Sequence, residues 1–134
     1  MDPEERFAKT FIKKERRKRV LYELSDPGRR YDGLSRFCHS SGELIDRRKL
    51  VMEGSGLERL PAFLAFMKTH NGPCTVMSPD PGVDGLELPL KEAVEAAVMS
   101  FDAVIILGKD YAVVFGESGP GEREKYLLSA EART

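Results

Sequence analysis

The sequence predicts an α+β fold: a basic, mainly helical first part, followed by an α-β-α-β-β-β region with a mainly antiparallel sheet. Three observations lead there. Helix caps and helix-period apolar spacing dominate the first 40 residues. Short apolar runs, separated by glycine-rich turns too tight for crossovers, fill the last 35. The charge changes sign between the halves. Residues 1–50 carry 14 Lys and Arg against 9 Asp and Glu, whereas residues 51–134 carry 7 against 13, for a total of −1. A chain of 134 residues has the size of one domain. It is expected to be single, with a basic helical subregion 1–54 and an acidic α/β subregion 55–134 that ends in a β-meander.

Asp2-Pro3-Glu4-Glu5 is a helix start, with a capping Asp, Pro at the first helical position and acids in the first turn. The helix is predicted to run to about Leu24 and to stop at Asp26-Pro27-Gly28. Phe7, Phe11, Ile12, Val20, Leu21 and Leu24 share one broad arc of it, and Lys13, Lys14, Arg17 and Lys18 fall in the same arc. Its middle turns are therefore charged all round. A short helix is predicted from about Asp32 to Ser40. Leu34, Phe37 and Cys38 lie on one face of it, and Asp32, Arg36 and His39 on the other. Residues 49–53 are a short strand candidate, and Gly54-Ser55-Gly56 is the boundary between the subregions.

Ser55 and Glu58 match a capping box, and Leu57, Leu60, Leu64 and Met67 form a helical stripe that Pro61 fits poorly unless the helix begins near it. Asn71-Gly72-Pro73 stops that helix, and residues 74–78 are a strand candidate. Residues 79–85 make a loop. Pro89 opens a helix with Leu90, Val94, Ala97, Val98 and Phe101 on one face. Residues 103–107 are all apolar, which predicts a central strand buried on both faces. Residues 111–115 form the next strand. After a turn at residues 118–121, residues 123–129 form the last, mixed enough in composition to be an edge.

The strongest functional signal is the basic run Lys13, Lys14, Arg16, Arg17, Lys18 and Arg19, which Arg29, Arg30 and Arg36 extend. It suits an acidic protein surface, including the acidic half of a second copy of the chain. Interleaved aromatics such as Tyr22 and Tyr31 make nucleic acid an alternative partner for residues 13–36, although the overall pI of about 6.2 argues against it. A third reading places an unassigned enzymatic site at Arg29, Arg30, Asp32, Arg36 and His39, with His39 as general base or anion contact. The ordinary alternative is an exposed helix face with an i,i+4 Asp32–Arg36 pair. The non-enzymatic interaction module is the preferred reading.

Pairing each cysteine with a nearby histidine, Cys38 with His39 and His70 with Cys74, suggests zinc. The helical wheel argues against it, because Cys38 and His39 face opposite ways. Cys38 and Cys74 are expected to be buried free thiols. Gly116-Glu117-Ser118-Gly119-Pro120 lacks the last glycine of a nucleophile elbow, and the glycine-rich loops miss the phosphate-binding spacings. No metal and no cofactor is expected. No apolar run approaches the roughly 20 residues that cross a bilayer. The opening residues are not a secretory signal, and two cysteines make no disulfide framework. The expected setting is the cytoplasm, without membrane contact.

Overall fold

In the computed structural model, the described residues form six α-helices packed on a six-stranded antiparallel sheet. The structure describes residues 2–39, 41–119 and 121–131, apart from the side chain of Cys38. Helices α1 (Pro3–Phe11), α2 (Arg17–Ser25), α3 (Arg30–His39) and the one-turn α4 (Ser41–Leu44) precede strand β1 (Leu50–Glu53). Then come α5 (Pro61–Thr69), β2 (Pro73–Met77), β3 (Glu87–Pro89) and α6 (Leu90–Met99). The meander of β4 (Val104–Leu107), β5 (Tyr111–Phe115) and β6 (Lys125–Ser129) closes the chain. The strand order is β1-β6-β5-β4-β2-β3. Among the described residues, no helix is long and apolar enough to cross a membrane.

The sheet separates two apolar layers because side chains alternate along a strand. Ile105 and Leu107 of β4, Ala112 and Val114 of β5, and Leu128 of β6 meet Phe7, Phe11, Leu24, Leu34 and Phe37 of α1–α3. Val104 and Ile106, with Val113, Phe115 and Leu127, meet Phe63 of α5 and Leu90, Ala93, Val94 and Ala97 of α6. All four residues of β4 are buried, with β5 on one side and β2 on the other. The expected central strand is therefore present.

Several elements differ from the expectation. The single helix over residues 2–24 is two helices. Asp2 does cap the first, accepting from the Glu5 N–H at 3.2 Å. At Ile12, however, the chain becomes extended and bridges Ile45. The Lys13 N–H reaches the Leu44 carbonyl at 2.8 Å, and the Asp46 N–H reaches that of Phe11 at 2.7 Å. Fully buried Ile12 and Ile45 gain more from this pairing than from a continuous helix. A short 3-10 turn, Lys14–Arg16, carries the charged stretch outward before α2 begins.

The capping box also fails. Leu57–Arg59 is a 3-10 turn, and α5 starts at Pro61, the only position where a helix accepts proline freely. That start resets the helical phase: Phe63 is buried, while Leu60 and Leu64 are exposed. Strand β3 was not expected. On α6, Val98 and Phe101 leave the apolar face, and Phe101 is 83% exposed beyond the helix end. Finally, β6 is an interior strand and not an edge, because β1 pairs with it from more than 70 residues away in sequence.

Candidate functional site

The basic surplus of the first half lies entirely in residues 13–39, which hold nine Lys and Arg against four Asp and Glu. This is the α2–α3 hairpin and the turn leading into it. Val20, Leu21 and Leu24 of α2, and Leu34 and Phe37 of α3, fasten the hairpin to the sheet. Gly33 sets how closely the two helices approach. A Cβ there would lie 2.8 Å from the Cβ of Glu23, nearer than side chains tolerate. Only glycine lets α3 lie so tightly on α2, which explains a residue otherwise unfavourable inside a helix.

The close approach fixes Glu23 between the helices, where Arg36 of α3 forms an ion pair with it and the guanidinium of Arg19 lies at 3.7 Å. Arg36 thus pairs across the hairpin and not with Asp32. At the far end of α3, His39 Nδ1 lies 2.8 Å from a carboxylate oxygen of Glu117 in the segment between β5 and β6.

Other arginines of the region are structural. The Arg30 guanidinium donates to Glu4 at 2.5 and 2.7 Å and to Asp84 at 2.9 and 3.1 Å. It ties α1 and α3 to the loop before β3, and those carboxylates raise its pKa above the ordinary guanidinium value. Arg29 lies over the Tyr22 ring at 5.5 Å and near Asp26 at 3.5 Å. The Nε of Arg17 donates to the Ile12 carbonyl at 2.9 Å and holds the kink between α1 and α2. Lys13, Lys14, Arg16 and Lys18 have no ion pair among the described residues.

Beneath the hairpin lies a hollow of about 240 Å³. Phe7, Val20, Leu34, Phe37, Met77 and Ile105 form its apolar floor, and Arg16, Arg19, Glu23, Arg36, His39 and Glu43 its rim. The structure therefore brings Arg36 and His39 to one cavity, with Arg16 and Arg19 from the basic run. It does not bring Arg29, Arg30 and Asp32 there. The sequence already grouped Arg16, Arg19 and Arg36 in one basic patch, but it missed Glu23 between them, Glu43 opposite and the apolar floor. The one available signal was Gly33, a glycine inside a helical pattern.

Cys74 is buried, as expected, and its Sγ lies 2.9 Å from the Tyr111 hydroxyl. Burial raises the pKa of this thiol. The side chain of Cys38 lies outside the described residues, as do Ser40 and Pro120. No three His, Cys, Asp or Glu side chains converge as a metal site among the described residues.

Two further cations of the acidic half are engaged internally. The Arg123 guanidinium donates to the carbonyls of Gly116, Ala97 and Asp102 at 2.5, 2.9 and 2.8 Å. Buried Lys125 donates to both carboxylate oxygens of Glu58 at 2.8 and 3.0 Å.

No protein family, no curated protein and no solved structure matches the chain.

Proposed function

We propose that this protein is a non-enzymatic interaction module that binds an acidic protein surface through the α2–α3 hairpin and the turn before it. One observation supports this above the others. The basic surplus sits in residues 13–39, and Lys13, Lys14, Arg16 and Lys18 have no carboxylate of their own among the described residues. Cations left without internal partners on a packed scaffold suit complementary docking, which raises the association rate and specifies the partner by charge. The inward residues of α2 carry the packing, so Lys14, Arg16 and Lys18 are expected to be dispensable for the fold. The acidic surface belongs to another protein or to the acidic half of a second copy.

The test is a triple substitution, Lys14→Gln, Arg16→Gln and Lys18→Gln, which takes residues 13–39 from +5 to +2. Arg17 stays, because it holds the kink. Polyglutamate serves as the acidic surface, sedimentation tests self-association, and short RNA and DNA test the alternative. Exposed ion pairs contribute about 0.2–1 kcal/mol each. The triple variant should therefore bind polyglutamate, or itself, about 3- to 160-fold more weakly at low salt. The native protein should lose affinity as salt rises. If neither polyglutamate nor a second copy binds the native protein, the proposal fails. If nucleic acid binds with a steep salt slope while polyglutamate does not, the nucleic-acid reading replaces it.

A further inference from the structure

We propose that the hollow between α2, α3 and α4 is a binding site for a small apolar carboxylate, a molecule on the scale of benzoate or hexanoate. The inference goes beyond a protein-docking function, since the site is complete within one chain and needs no protein partner.

Size, floor and rim each narrow the ligand. The hollow of about 240 Å³ is open to water at its charged rim and apolar at its floor, so an apolar group that displaces the water over that floor is favoured. An apolar cavity of about 150 Å³ holds benzene, and drug-sized ligands occupy pockets from about 300 Å³ upward. The occupant is thus little larger than one ring or a six-carbon chain. The floor side chains Phe7, Val20, Leu34, Phe37, Met77 and Ile105 offer no hydrogen-bonding group, so the inserted end is apolar.

The rim selects the other end. Glu23 is held by Arg36, so its charge is answered within the protein. His39 faces Glu117. Arg16 has no carboxylate among the described residues, and Arg19, two-thirds exposed, touches Glu23 only at 3.7 Å. Arg16 and Arg19 are three residues apart, hence neighbours on one side of the helix start. Two guanidiniums at one lip of an apolar hollow are matched to a carboxylate. Glu43 stands on the lip formed by α4 and repels an anion there, which orients the ligand with its carboxylate toward α2. A cationic head group would meet the arginines and be rejected.

The experiment is an NMR titration of the full chain with benzoate and with hexanoate. Acetate tests the need for an apolar body, and benzyl alcohol and hexylamine test the need for the negative charge. Benzoate or hexanoate should bind saturably, shift the resonances of Val20, Leu34, Phe37 and Ile105, and bind at least about tenfold more tightly than the three controls. Two variants separate the contributions. Val20→Phe fills the hollow without altering surface charge, so it should abolish ligand binding and leave polyglutamate binding as it was. That outcome distinguishes this site from the docking surface. Arg16→Gln with Arg19→Gln, both at exposed positions, should reduce benzoate to the level of benzyl alcohol. The proposal is overturned if neither carboxylate shifts the floor resonances at millimolar concentration, if benzyl alcohol binds as well as benzoate, or if binding survives the double arginine variant.

Discussion

The hollow has a measurable consequence for stability, because it makes two adjacent isoleucines of β4 unequal. Ile105 faces α1–α3 and borders the hollow, whereas Ile106 faces α5 and α6 in a layer where it is fully buried. Truncation of either to alanine removes three carbons, a transfer loss of about 2.4 kcal/mol at about 0.8 per methylene. A cavity penalty is added, and it grows with the volume left empty, which brings such substitutions to about 2–5 kcal/mol. At Ile106 the void is sealed between two helices and the sheet, so the loss should lie near the upper end, about 4–5 kcal/mol. At Ile105 the new space merges with an existing hollow, so the loss should stay near the transfer value, about 2–3 kcal/mol. Urea melts of the full chain, compared at unchanged slope, read both. If Ile105→Ala costs as much as Ile106→Ala, the hollow is filled or closed in solution. A loss below about 1 kcal/mol at either site would refute the doubly buried strand.

The Glu58–Lys125 pair is largely withdrawn from solvent, with side chains 14% and 8% exposed. Glu58→Gln should cost about 3–5 kcal/mol by leaving a buried ammonium unpaired, and replacing both residues with Leu and Met should recover most of it; thermal melts decide. Burial is the largest single influence on the Glu58 carboxyl and pushes it up, but the Lys125 hydrogen bonds, a backbone hydrogen bond and the charges of Lys125 and Arg59 together outweigh it and hold it below its ordinary value. The Arg48 guanidinium does the same to Asp46. Both groups bind protons more weakly folded than unfolded. Their stabilisation is therefore complete above the unfolded values, about 4.3 for Glu and 3.9 for Asp, and is lost as pH falls through the folded ones. Melts from pH 6 to pH 2 should show this decline, and a flat profile would refute it. Gly33→Ala should lose up to about 2 kcal/mol, since overpacking of about 1–3 kcal/mol against Glu23 exceeds the gain of about 1 kcal/mol in helix propensity. A stabilised variant would show that α2 and α3 do not meet there. In a Cys38→Ala background, Cys74 should react with iodoacetamide far more slowly than an exposed thiol, because burial raises its pKa.

What the sequence by itself determined is local. The cap at Asp2, the tight turn between β4 and β5, the five apolar residues 103–107 and the start of α6 after Pro89 were legible because caps, turns and short apolar runs act over a few residues. The concentration of positive charge in residues 13–19 was legible for the same reason. Tertiary structure decided wherever a distant partner outweighed local preference. The pairing of Ile12 with Ile45 divides the first helix, and β1 turns β6 from an expected edge into an interior strand. The candidate site belongs to this second class. Arg16, Arg19, Arg36 and His39 come from two helices and the turn before the first, and they share one hollow only because Gly33 lets those helices touch above the sheet. Spacing along the chain records the chemistry each residue carries. Which of them face one another depends on helix packing, and that is set by the apolar layer beneath them.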